Sequence, residues 1–145
     1  MAVVLLDSVA IVAYLDAANV FHRAADAAIG AAAREDRLVS SAVNYAEVLT
    51  GARLGHRDEE VVRGFFSELV AEVVPVDREV AERAAELRGS RMALRLPDAL
   101  IMATADLHAD VLIGADAQWA KVKGLGCELR LMSAARTTKG PRPGS

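Results

Sequence analysis

Apolar positions along this chain follow two alternating rhythms. Short continuous apolar runs, several of them β-branched, occur at Val3–Leu6, at 38–40 and at 111–113, and they read as strands covered on both faces. Residues 73–76 read as an edge strand, because Pro75 has no N–H to give a ladder, and a last short strand is expected at Glu128–Leu131. Between these runs the spacing becomes helical. Ser8–Leu15 reads as a buried helix, and Asn19 is placed to cap an Ala-rich helix over 20–34. Asn44 and Glu47, three residues apart, suit a helix start, with Gly51 and Gly55 weakening its far end. Asp58 and Asp77 open helices through Leu69 and about Arg88, the latter stopping at a Gly89-Ser90 break. Leu100, Ile101, Thr104 and Leu107 share one face of a helix over 97–108 that Pro97 opens, and 117–122 reads as one more short helix.

Strands alternating with helices predict an α/β protein, a three-layer α/β/α sandwich around a central, mainly parallel sheet. One domain is expected over residues 1–135, and the Gly- and Pro-containing residues 136–145 read as a disordered tail. In such sheets ligands bind outside the carboxyl ends of the strands, where loops lead into helices.

Composition narrows the environment. With 53% hydrophobic and 26% charged residues in a chain of 145, a packed core is within reach. No apolar run approaches the roughly 18 residues needed to cross a bilayer, and the start lacks the basic region of a signal peptide, so no membrane association and a cytoplasmic location are expected. The single cysteine, Cys127, cannot pair internally and reads as a small core residue. A formal net charge of -3 gives no global attraction to nucleic acid, so any such binding must come from a local arrangement of the 17 Lys and Arg residues.

Four acids fall where the fold would place a site. Asp7 ends the first strand, Asp116 follows a later one, and Glu47 and Asp98 lie in first helical turns. Each also has a purely structural reading: Asp7 and Asp116 as N-caps, Glu47 as the capping partner of Asn44, Asp98 as a first-turn acid favoured by the helix dipole. Together they point to a metal, because clustered carboxylates resist joint ionisation unless a cation neutralises them. Oxygen ligands alone suit Mg²⁺ or Mn²⁺ rather than zinc, and His22, His56 and His108 lack ligand spacing.

Four segments resemble the PIN-domain family and, within it, the VapC-type toxins of bacterial toxin–antitoxin pairs. They are Leu5-Leu6-Asp7-Ser8-Val9-Ala10, Asn44-Tyr45-Ala46-Glu47-Val48-Leu49-Thr50-Gly51, Leu96-Pro97-Asp98-Ala99-Leu100-Ile101-Met102-Ala103-Thr104-Ala105, and Leu112-Ile113-Gly114-Ala115-Asp116-Ala117-Gln118-Trp119. The last keeps the acid but has Gly114 and Ala115 where the family commonly has Thr and Asn. The resemblance implies a Mg²⁺- or Mn²⁺-dependent ribonuclease in which Asp7, Glu47, Asp98 and Asp116 form the catalytic, metal-holding pocket, with Ser8 an accessory contact or a helix cap. It also implies a homodimer, a VapB-type antitoxin partner, and transfer or ribosomal RNA as target. Arg53, Arg91, Arg95 or Lys121 would supply a basic rim for RNA phosphates, or plain solvated charge. A fold kept only for binding RNA or protein is the alternative.

Two other acid-based sites fit less well. A haloacid-dehalogenase-like phosphatase wants a second Asp two residues after the first, where Val9 stands. A phosphoacceptor signalling domain wants an acidic pair near the first strand and a late lysine, and neither is present.

Overall fold

The computed structural model describes residues 1–135. Residues 136–145, read from sequence as a tail, lie outside the described residues. The chain alternates β1 (Val3–Leu6), α1 (Ser8–Leu15), α2 (His22–Glu35), β2 (Arg37–Ser41), α3 (Ala42–Arg53), α4 (Glu59–Glu68), β3 (Glu72–Val74), α5 (Arg78–Ser90), α6 (Leu96–His108), β4 (Val111–Gly114), a 3₁₀ turn (Ala117–Lys121) and β5 (Glu128–Leu131). The five strands form one sheet in the order β3-β2-β1-β4-β5, and every adjacent pair is parallel. β3 ends before Pro75 and lies at an edge, where a missing donor costs no ladder bond.

Side-chain alternation divides the core in two. Val4 and Leu6 of β1 face a cluster supplied by α1, α2, α3 and α4, whereas Leu5 faces one supplied by α5 and α6. Val111 and Ile113 of β4 follow the first face and Leu112 the second. Both faces are covered, which is why these strands read as continuous apolar runs instead of alternating ones. The result is the three-layer α/β/α sandwich.

Local chemistry moves several helix boundaries from their expected places. α3 starts at Ala42 because Ser41 is its N-cap: the Ser41 Oγ accepts from the Asn44 amide at 3.0 Å, and Asn44 completes the capping box. Asn44 is therefore the third helical residue, and Glu47 is not its capping partner. α2 starts at His22, and Asn19 instead holds the preceding turn by accepting from the Phe21 amide at 2.9 Å. α5 runs through Gly89 to Ser90, where the Ser90 Oγ donates back to the Leu87 carbonyl at 3.0 Å and ties down the last turn. No described helix is long and apolar enough to cross a membrane.

The strand order fixes where a site can form. From β1 the chain builds outward to β2 and β3, then returns to add β4 and β5 on the other side, so the connections part in opposite directions beside β1. A crevice opens at that switch point, at the carboxyl ends of β1 and β4.

Candidate active site

β1 carries Asp7 directly into this crevice. The Asp7 amide still extends the sheet by donating to the Ile113 carbonyl at 2.9 Å, and its own carbonyl starts α1 by accepting from Ala10 at 3.0 Å. The side chain makes no capping hydrogen bond to α1. It accepts instead from the Asn44 Nδ2 at 3.2 Å. Asp7 is 6% exposed. Burial pushes its carboxyl up from 3.8 to about 6, opposed by the Ser8 amide dipole and reinforced by the negative charges of Glu47 and Asp98. Glu47 and Asp98 thus lie close enough to repel it.

Asn44, which the sequence suggests only as a cap, is joined to the acidic site by hydrogen bonds to Asp7 and Ser8. It is fully buried and ties three elements together. The Ser41 Oγ donates to the Asn44 Oδ1 at 2.7 Å, while the Asn44 Nδ2 also donates to the Ser8 Oγ at 2.9 Å. The Ser8 hydroxyl in turn donates to the Glu47 Oε1 at 2.8 Å. Ser8 is therefore an accessory contact of the acidic site. A polar chain from Ser41 through Asn44 and Ser8 orients two of the four acids. The signal for it in the sequence was Ser41 standing three residues before Asn44, which makes Asn44 a helix residue facing the sheet end.

Asp98 lies in the first turn of α6, half-buried, and accepts from the Arg95 Nε at 3.4 Å. Asp116 follows β4, is exposed, and caps the 3₁₀ turn by accepting from the Gln118 amide at 2.9 Å. Its capping role is real, yet it lines one small cavity with Asp98, walled by Arg91, Arg95, Gln118 and Trp119. The structure therefore groups Asp7 with Glu47 and Asp98 by electrostatic proximity, and Asp98 with Asp116 by a shared cavity. Among the described residues no three His, Cys, Asp or Glu side chains converge into a ready-made metal site.

That arrangement still fits one class of cation. Mg²⁺ commonly takes only one or two protein carboxylates and keeps several waters, so paired acids suffice. The donors are all oxygens, and the buried Asp7 carboxyl pays a charge penalty that a cation would relieve. The histidines do not contribute: His22 Nδ1, for one, is bonded to the Ala13 carbonyl at 2.7 Å. Cys127 is half-buried, and burial pushes its thiol up, away from nucleophilic use.

Gly114 explains its own departure from the family pattern. A Cβ built there would meet the six-membered ring of Trp119 at 3.1 and 3.3 Å and would approach the Asp7 Cβ at 3.8 Å. The indole fills the space that a threonine side chain would need. Trp119 is 3% exposed, and its Nε1 has no hydrogen-bond partner among the described residues.

An all-parallel α/β/α sandwich with acids at the switch point defines a class, and comparison with known proteins places the chain within it. The model of the PIN domain matches residues 4–125. The chain belongs to the PIN-domain family. Among solved structures, a toxin–antitoxin complex from Klebsiella pneumoniae is 30% identical at a TM-score of 0.65, over 79% of this chain and 88% of that one. VapBC2 from Rickettsia felis, bound to a DNA fragment from its promoter, matches at a TM-score of 0.72 and 13% identity over 90% of this chain and 99% of that one. VapC20 of Mycobacterium tuberculosis, a toxin that cleaves the sarcin-ricin loop, matches at 0.64 and 17% identity over 86% of this chain and 98% of that one. At those lower identities the likeness is one of fold. No curated protein matches the sequence significantly.

Proposed function

We propose that this protein is a Mg²⁺- or Mn²⁺-dependent endoribonuclease and the toxin of a toxin–antitoxin pair. The observation that carries the reading is the buried Asp7 at the switch point, raised to about 6 and repelled by two further carboxylates. Carboxylates held together at such cost, one of them buried, are the arrangement that a catalytic divalent cation relieves.

Asp7, Glu47, Asp98 and Asp116 are the residues assigned to hold the cation. Bound there, it supplies charge neutralisation for the phosphate and an activated water for in-line attack on phosphorus. The chain's own groups set the geometry. Asn44 fixes the Asp7 carboxylate, and Ser8 fixes that of Glu47. Arg95 restrains Asp98. Asp116 is held in place by its own cap to Gln118 through one carboxylate oxygen, and it lines the same cavity as Asp98. No covalent enzyme intermediate is required.

The antitoxin, transfer or ribosomal RNA as substrate, a homodimeric state and a cytoplasmic site of action belong to the same proposal. The 30% identity to a subunit of the Klebsiella pneumoniae toxin–antitoxin complex supports the antitoxin partner within that proposal. The test is cleavage of total RNA by purified protein with Mg²⁺ or Mn²⁺, beside an EDTA control and Asp98→Asn. Discrete fragments that need both the metal and Asp98 are expected. A folded, antitoxin-free protein that cuts nothing under either metal would return the fold to a binding role.

A further inference from the structure

Two arginines line the cavity that holds Asp98 and Asp116, and they bear on how RNA lies across it. Most arginines in the described residues are committed elsewhere. Arg37 pairs with Glu72, Arg53 and Arg63 with Glu59, Arg83 with Asp106, and Arg130 with Glu128. Arg57 donates to the Val48 carbonyl and Arg88 to that of Leu94. Of the four residues expected to form a basic rim, Arg53 is thus held in an ion pair away from the site, and Lys121 is not among the residues lining the cavity.

Arg91 and Arg95 differ. Both line the cavity of about 180 Å³ that also contains Asp98 and Asp116. The Arg95 side chain is 76% exposed, and its sole described partner is Asp98, through Nε alone at a long 3.4 Å. The Arg91 guanidinium makes no hydrogen bond or ion pair with another described residue. Beside them the first turn of α6 has no side-chain cap, so its amide dipoles add positive potential to the same wall.

We infer that Arg91 and Arg95 form a phosphate-binding subsite that seats the RNA strand against the acidic pocket. The inference rests on the nuclease reading of that pocket. Two arginines balance two acids in the empty cavity, so it has little net charge. With a divalent cation on the carboxylates the balance becomes +2, and a phosphate is attracted where it had not been. The Arg95 fork then exchanges a long single contact with Asp98 for a bidentate contact with phosphate oxygens, the geometry guanidinium favours. Substrate therefore binds tightly only to the metal-loaded protein. Gln118 and Trp119 complete the lining of the cavity.

The experiment measures anisotropy of a short fluorescein-labelled single-stranded RNA over a salt series, with all four acids intact. Ca²⁺ takes the place of Mg²⁺ to slow cleavage, an end-point gel shows the RNA uncut, and in a parallel series in EDTA tight binding should be lost. Arg91→Ala and Arg95→Ala are added singly and together, with Arg95→Lys and the distant Arg34→Ala as comparators and circular dichroism as a check on folding. Each alanine is expected to weaken binding several-fold and to lower the slope of log K against log salt by about 0.7. Arg95→Lys should keep the slope while losing part of the affinity. Affinity and slope equal to those of Arg34→Ala in folded variants would overturn the subsite. If slopes respond as expected while intact protein never cuts RNA, the subsite stands and the nuclease reading falls. If RNA is cut but slopes do not respond, the reverse holds.

Discussion

At Asp7 the burial that raises the carboxyl to about 6 also makes stability depend on pH. The folded protein holds the proton to a higher pH than the unfolded chain, whose carboxyl titrates near 3.8. Stability from this group is therefore fully present below the unfolded value and is lost as pH rises through about 6. A shift of that size corresponds to about 3 kcal/mol. Asp7→Asn removes the buried charge, so in EDTA the variant is expected to be more stable than wild type near neutral pH, with the gap closing toward about pH 4. Denaturant titrations across that range check it, and a gap that does not change with pH would mean that Asp7 titrates like a surface acid. Asn44 makes the complementary case. Asn44→Ala leaves Asp7 and Ser8 without their shared donor and breaks the Ser41 capping box, for an expected cost of about 1–3 kcal/mol. Cleavage should fall more than stability alone explains, which a comparison of rates at a temperature where both proteins are fully folded would reveal.

Where β4 meets the 3₁₀ turn, two elements share one volume. Gly114 leaves room for the Trp119 indole, so Gly114→Thr is expected to cost about 1–3 kcal/mol by overpacking against that ring. Adding Trp119→Leu to Gly114→Thr should recover part of that loss. A double-mutant cycle with zero coupling would show that the two do not compete. This pairing was invisible in the sequence, because Gly114 and Trp119 are linked by a tight turn and not by any helical or strand period. The strands themselves were legible, since a sheet buried on both faces leaves apolar runs such as Val111–Gly114. Pro75 placed β3 at an edge, and the element order gave the three layers. Helix starts were less legible: Ser41, Asn44 and Asn19 are all capping residue types, and only the fold decides which amide each one meets. Asp7 and Asp116 at strand ends and Asp98 in a first turn could be read, whereas Glu47, expected in a first turn, lies in the second turn of α3 because that helix starts at Ala42. Nor could it be read that Asn44 and Ser8 orient two of the acids, because that depends on β1 and α3 meeting across the sheet end.

At the scale of the whole molecule, the costs gathered at the switch point are coupled to one ligand. A chain with net charge -3 holds a buried acid, Asp7, within electrostatic reach of both Glu47 and Asp98, and its fold therefore contains a deficit that a divalent cation would remove. Binding to the folded state alone raises stability by about 2.7 kcal/mol at a concentration 100-fold above Kd. For a domain of this size that corresponds to a rise in Tm on the order of 5–10 °C. Mg²⁺ or Mn²⁺ is thus expected to raise Tm, EDTA to reverse it, and Asp98→Asn to abolish most of the response. The cation competes with the proton on Asp7, so the gain should be small below about pH 5 and should grow as pH passes 6. Thermal melts with and without metal at several pH values separate this from general salt effects, which Ca²⁺-free monovalent controls of equal ionic strength reproduce. A Tm that is indifferent to metal at every pH would mean that the acids hold no cation, and the Asp7 penalty would then need a different partner, a cationic side chain of a bound protein.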